Sequence, residues 1–199
     1  FFKNNGPFKI SEILKILNLN TEIDNADQSV SDIKDLFSSN SNEITFFHSK
    51  KYKNIANSTK STFCITTENL KNDLPNKCKP IIVDNVLVAT SKITAKFYPS
   101  AIHDNFDDSV NNISETVFKN KVNHGKNVLI GSNVVIGSNS FIGHNTIIEK
   151  NVIIGNNCSV GSNNIIRNTL IKDNVKILDN CVIGKHGFGF FPNNNENLR

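Results

Sequence analysis

From Val128 onward, hydrophobic and polar positions recur with a period of six: VLIGSN, VVIGSN, SFIGHN, TIIEKN, VIIGNN and CSVGSN follow one another without a break. One position of each hexad is always aliphatic: Ile130, Ile136, Ile142, Ile148, Ile154, Val160 and Ile166. After a single five-residue step it continues as Ile171, Ile177 and Ile183. Ten aliphatics fill ten places, where ordinary composition would supply about a quarter. The residue after the aliphatic is Gly131, Gly137, Gly143, Gly155, Gly161 and Gly184, and Asn recurs three places on, at Asn133, Asn139, Asn145, Asn151, Asn157 and Asn163. Gly and Asn reach left-handed backbone angles at the lowest cost. Each hexad therefore reads as a short strand followed by a corner, and three such sides close a triangular coil of about 18 residues, with neighbouring coils about 4.8 Å apart.

A second inward set lies two residues before the aliphatics, at Val128, Val134, Ser140, Thr146, Val152, Cys158 and Asn164, and continues as Leu170, six on from Asn164, then Val175 and Cys181. Most are small, as a narrow triangular interior requires. Cys158 and Cys181 are accordingly expected as small buried hydrophobes. Upstream the repeat frays, with Val122 and the run from His124 to Asn127 keeping part of it. A capping coil is expected from about Ala101 to Asn127.

The first hundred residues carry no such period. Phe8, Ile10, Ile13, Leu14, Ile16 and Leu17, opened by Pro7 and Ser11, predict an amphipathic helix. Glu43–Phe47, Thr62–Thr66 and Pro80–Val83 read as short strands, and Val86–Lys96 as a second helix. This is a small α/β domain over residues 1–98. Residues 99–199 form the coil region, with regular hexapeptides over 128–186 and an exit loop over 187–199.

Composition narrows the function classes. No apolar run approaches the roughly 18 residues that cross a bilayer, and 22 basic against 18 acidic residues give +4. That is too little for a nucleic-acid-binding surface and compatible with anionic ligands. Cys64, Cys78, Cys158 and Cys181 have no C-x-x-C spacing, so free thiols in a reducing compartment are expected and no metal site is. The chain has no Met, which leads to the expectation that it is part of a longer protein whose later coils are missing.

The hexapeptides resemble those of the left-handed β-helix acyltransferases. Three segments sharpen the resemblance: Phe8-Lys-Ile-Ser-Glu-Ile-Leu-Lys-Ile-Leu17, Glu43-Ile-Thr-Phe-Phe-His-Ser-Lys-Lys-Tyr52 and Val182-Ile-Gly-Lys-His-Gly-Phe-Gly-Phe190. Together they are similar to the UDP-3-O-acylglucosamine N-acyltransferases of lipid A biosynthesis. The fold so implied is mainly β, a left-handed parallel β-helix preceded by a small α/β uridine-binding domain. The implied reaction moves an (R)-3-hydroxyacyl group from acyl carrier protein, on its phosphopantetheine arm, to the 2-amine of UDP-3-O-(3-hydroxyacyl)-glucosamine. No other cofactor is implied; the partners are that sugar nucleotide, acyl carrier protein and the other subunits of a homotrimer, in the cytoplasm of a Gram-negative bacterium.

By the same resemblance an aromatic pair sandwiches uracil, and its positions fall on Phe46 and Tyr52. Ser49 stands where the family often carries a base-contacting Asn. Lys50, Lys51 and Lys53 are suited to a pyrophosphate or to a solvated face. Gly187, Phe188, Gly189 and Phe190 match a segment beside the family's active site, and His186 departs from the usual small polar or acidic residue there. The family's basic histidine lies in a later coil, expected downstream of Arg199. His144, in Gly143-His144-Asn145, falls too early to match and is expected at a solvent-facing corner, and His48, His103 and His124 have no partner that spacing supplies. The 199 residues are thus expected to be inactive alone. The alternatives are the O-acyltransferase of the same pathway, which lacks a comparable first domain, and a non-catalytic structural solenoid. The solenoid would repeat one residue type outward along a face, whereas the outward positions read as irregular apart from Asn and Ser at the corners.

Overall fold

The computed structural model describes residues 2–20, 23–102, 105–185, 187, 191–193 and 196–198. His103, His186, Phe188, Gly189 and Phe190, singled out above, lie outside the described residues. The chain divides into two units, Phe2–His103 with the chain end from Gly189, and Asp104–Phe188.

The first unit opens with β1 (Phe8–Lys9), paired antiparallel with β2 (Ser29–Val30). Phe8 was expected inside the helix. Instead the Ile10 amide donates to the Gln28 carbonyl at 2.9 Å and the Glu12 carboxylate accepts the Lys9 amide at 2.9 Å, so α1 begins only at Ile10 and runs Ile10–Ile16. β3 (Ile44–Phe47), β4 (Phe63–Thr66) and β5 (Lys79–Ile82) form a parallel sheet in that order, with Ile33 bridged in parallel to Ile44. Between β3 and β4 lies the one-turn α2 (Lys53–Ala56). Asn85 caps α3 (Val86–Phe97) by accepting the Val88 amide at 3.2 Å, and Val86, Ala89, Ile93 and Phe97 bury one stripe of that helix. They meet Ile10, Ile13, Ile44, Phe63, Ile65 and Ile81 in one apolar cluster. Within 187–199, expected as a loop leaving the coils, Phe191–Asn193 and Glu196–Leu198 form an antiparallel pair.

In the second unit the strands are two residues long and stack on three faces. One face carries Leu129–Ile130, Ile147–Ile148, Ile165–Ile166 and Val182–Ile183; the next Val135–Ile136, Ile153–Ile154 and Leu170–Ile171; the third Asn123–His124, Phe141–Ile142, Ser159–Val160 and Lys176–Ile177. All these pairs are parallel, and Asn111–Asn112 caps the first face antiparallel to Leu129–Ile130. This is a three-sided parallel β-helix. Its coil is 18 residues long at first and 17 after the five-residue step.

The corners divide the work that the sequence assigned jointly to Gly and Asn. The left-handed residue is Asn at all ten corners from Asn127 to Asn180, with φ between 48° and 62°, and among the hexad glycines only Gly184 has positive φ. The other glycines serve closeness: a Cβ on Gly137 would sit 2.5 Å from the Gly155 carbonyl carbon in the next coil. Asn adds what Gly cannot, a side-chain ladder along the corner. Asn127 donates to Asn145 at 3.1 Å, Asn145 to Asn163 at 3.2 Å, Asn139 to Asn157 at 3.3 Å and Asn157 to Asn174 at 3.4 Å.

Inside, Val128, Val152, Cys158, Thr146 and Asn164 are buried, and the polar ones bond to backbone. Thr146 donates to the Gly161 carbonyl at 2.9 Å, Cys158 to Lys172 at 3.1 Å, and Asn164 accepts the Cys181 amide at 2.6 Å. Leu170 corrects the inward set: it is 55 % exposed. The shortened corner advances the register, so the position two before Ile171 is Thr169, whose hydroxyl bonds the Arg167 carbonyl. The outward positions are also less irregular than expected. Val135, Ile153 and Leu170 align in register on the second face and all are exposed.

Two outcomes follow. Asn157→Ala loses the residue that tolerates φ > 0, a cost of about 1–2 kcal/mol, together with both ladder bonds, whereas Asn157→Gly keeps the backbone and loses only the ladder. Thermal melting followed by circular dichroism should rank wild type above Gly and Gly above Ala; equal midpoints for the two variants would refute the corner argument. In the first unit, Asp32 accepts from Tyr98 Oη at 2.6 Å, Lys34 Nζ at 2.9 Å and the Ile33 amide at 2.8 Å. Burial raises its carboxyl pKa, but these bonds outweigh burial and hold it below the usual range. A depressed folded pKa gives stability that is present above the unfolded value of about 3.9 and lost as pH falls through the folded one. Asp32→Asn should flatten that acid limb in urea titrations run from neutral pH downward.

Candidate functional site

Alternation along β3 sends Phe47 into the apolar cluster with Leu36, Ala56, Cys64, Leu70 and Leu74, and leaves Phe46 and, two residues on, His48 together on the other side. Past the strand end, Ser49 caps a 3-10 turn, Lys50–Tyr52, its hydroxyl accepting the Lys51 amide at 3.4 Å. The turn brings Tyr52 back toward His48. The Phe46 and His48 ring centroids are 6.4 Å apart with planes at 27°, and those of His48 and Tyr52 5.4 Å apart at 48°.

These three rings line a cavity of about 250 Å³, together with Asp35, Leu36, Phe37 and Ile55. Leu36 is buried, while Phe37, Tyr52 and Ile55 keep exposed apolar surface. The Asp35 carboxylate accepts the Phe37 amide at 2.8 Å and the Ser38 amide at 3.0 Å, and the Ser38 hydroxyl as well. The Ser38 hydroxyl first, then its amide, hold Asp35 below the usual carboxylate range. An aromatic-walled cavity with one ionised carboxylate suits a flat heterocycle bound by stacking.

Of the residues expected from sequence, Phe46 and Tyr52 come together on this cavity, and Ser49 stands behind the turn that presents Tyr52. Lys53 pairs with Asp73 at 2.8 Å, and the Lys51 ammonium lies 6.0 Å from the Tyr52 ring centroid. Gly187, the one described residue of its motif, is exposed. His144 stands at an exposed corner of the coils with Nδ1 accepting the Lys126 amide at 2.8 Å. The sequence reading missed His48, Asp35, Leu36, Phe37 and Ile55. His48 was accessible from the two-residue alternation with Phe46; the loop residues carry no periodic signal. Cys64 and Cys78 are buried free thiols behind the cavity. Among the described residues no three metal-ligating side chains converge.

Residues 27–96, which include the whole cavity wall, match the family model described as UDP-3-O-(3-hydroxymyristoyl) glucosamine N-acyltransferase, LpxD. Residues 133–168 match the model described as bacterial transferase hexapeptide (six repeats). A comparison with curated proteins finds no match. On this single polypeptide a segment similar to LpxD thus precedes a segment similar to bacterial transferase hexapeptides.

Proposed function

We propose that this chain supplies the uridine-recognition part of an N-acyltransferase that moves an (R)-3-hydroxyacyl group from acyl carrier protein to the 2-amine of UDP-3-O-(3-hydroxyacyl)-glucosamine in lipid A biosynthesis, working in the cytoplasm as a homotrimer. The observation that carries the reading is the convergence of Phe46, His48 and Tyr52 on one cavity, inside the stretch that matches the LpxD model. Uracil stacks between Phe46 and Tyr52, and Ser49, whose hydroxyl oxygen accepts the Lys51 amide, holds the turn that presents Tyr52.

In the transfer itself the sugar amine attacks the thioester carbonyl, the phosphopantetheine thiolate leaves, and the amine proton passes to a general base. None of the described histidines is assigned that role: His144 is engaged at a corner by the Lys126 amide, and His48 belongs to the nucleotide cavity. The exposed ladder Val135, Ile153 and Leu170 supports subunit association, since a contiguous apolar stripe on a sheet face gains by being covered. Among the described residues no helix is long and apolar enough to cross a membrane.

The test is binding of UDP by the full chain, followed by saturation-transfer NMR and calorimetry, with Tyr52→Ala as the variant because Tyr52 is partly exposed and its loss spares the core. Loss of one stacking ring should weaken UDP about tenfold, from the 1–3 kcal/mol of a base–aromatic stack. No binding of any uridine nucleotide would refute the reading and favour a structural solenoid.

A further inference from the structure

A second cavity, of about 470 Å³, adjoins the first and is lined by Leu36, Phe37, Ser38, Ser39, Asn40, Ser58 and Lys60. Leu36 and Phe37 border both cavities, so the two are lobes of one groove divided at that dipeptide. Leu36 is buried and anchors the divider, whereas Phe37 is 86 % exposed. The backbone that carries Phe37 is nonetheless held, because the Asp35 carboxylate accepts its amide and the next one. A large apolar ring carried on a held backbone and exposed beside an aromatic cavity gains by being covered by something flat.

The lobes differ in chemistry. The first has aromatic walls and the ionised Asp35 carboxylate, which repels phosphate. The second is lined by Ser38, Ser39, Asn40, Ser58 and Lys60 beside the Leu36–Phe37 divider, with no carboxylate among its lining residues, the Ser38 hydroxyl being spent on Asp35. Lys60 is exposed and makes no ion pair among the described residues. Lys53, by contrast, is engaged with Asp73 at 2.8 Å, and Lys51 lies against Tyr52.

We infer that the two lobes form one nucleotide groove, in which Phe37 is a further stacking residue for the base and the Lys60 lobe receives the phosphate-bearing part of a nucleoside diphosphate. This rests on the uridine reading above and assigns residues that it does not contain. A nucleotide has an apolar flat end and an anionic polar end, and the order of lobes along the loop 35–40 matches that division. Lys53, paired with Asp73, and Lys51, over the Tyr52 ring, then serve the turn and its surroundings rather than the phosphates.

Calorimetry on the full chain with uridine and with UDP, at low and at physiological salt, tests it. The wild type should bind UDP more tightly than uridine, and the gain should shrink with salt. Lys60→Ala and Lys60→Gln should each remove about tenfold of that gain, the size of one charge-assisted bond, and leave uridine unchanged. Phe37→Ala should weaken uridine and UDP equally, about tenfold. Both residues are exposed, so an unchanged melting temperature checks that the variants fold. If Lys51→Ala removes the UDP gain while Lys60→Ala does not, or if Phe37→Ala binds like wild type, this assignment is overturned and the uridine reading stands. A wild-type chain that binds neither probe overturns both.

Discussion

Coils that pair as parallel strands must approach at strand spacing everywhere, corners included, and that closeness governs the second unit. At a corner the backbone turns sharply while another backbone passes directly over it. Where the residue after the inward aliphatic is glycine the coils close in on it, and a Cβ on Gly137 would approach the next backbone to 2.5 Å. Two places on, the chain turns through left-handed angles, and Asn occupies that place because it tolerates them and can bond upward to its counterpart. A hexad is thus a list of steric and hydrogen-bonding requirements met in fixed order.

On one face, the departure from glycine is compensated nearby. On the first face the crowded position is filled by Gly131, Glu149, Arg167 and Gly184 in successive coils. Glu149 and Arg167 pair at 3.0 Å with side chains only 13 % and 16 % exposed. Two large side chains fit in this position because they face each other, with Gly184 above giving way: a Cβ there would meet Thr169 Oγ1 at 2.6 Å and the Arg167 backbone. The same corner has lost a residue, and Asn168 still takes the left-handed turn with φ 48°. There Asn168 donates to the Gly184 carbonyl at 3.2 Å, while on another corner the ladder spans the shortened coil, with Asn157 bonding Asn174 at 3.4 Å.

The repeat was legible in the sequence because each requirement selects one residue type at one place. The shortened corner is where that reading slipped. Counting positions placed Leu170 inside, but deleting one residue shifts the parity of a two-residue strand, and Leu170 points outward. The outer ladder of Val135, Ile153 and Leu170 was missed for a related reason. It comes together only every third hexad, so it looks irregular along the chain and regular only across coils. In the first unit the apolar runs located β3, β4, β5 and α3, since buried parallel strands are short continuous hydrophobic runs. The start of α1 was misplaced because the pairing of Phe8–Lys9 with Ser29–Val30 is a tertiary fact with no local signature.

The same distinction explains the cavity. In a parallel sheet the loops that can meet are those leaving the carboxyl ends of neighbouring strands. Ile33 and Ile44 lie side by side in parallel, so the segment after Ile33 and the segment after β3 emerge at the same edge. Phe46 near the end of β3, with His48 and Tyr52 just past it, can be found by spacing along one of these stretches. Asp35, Leu36 and Phe37 belong to the other and become visible only when the two strands are known to be adjacent. A binding surface made from two loops at one sheet edge is half legible from either loop alone. The half that was read supplies the rings under the base, and the half that was not read, with Phe37 at its tip, determines what else of a ligand the groove can hold.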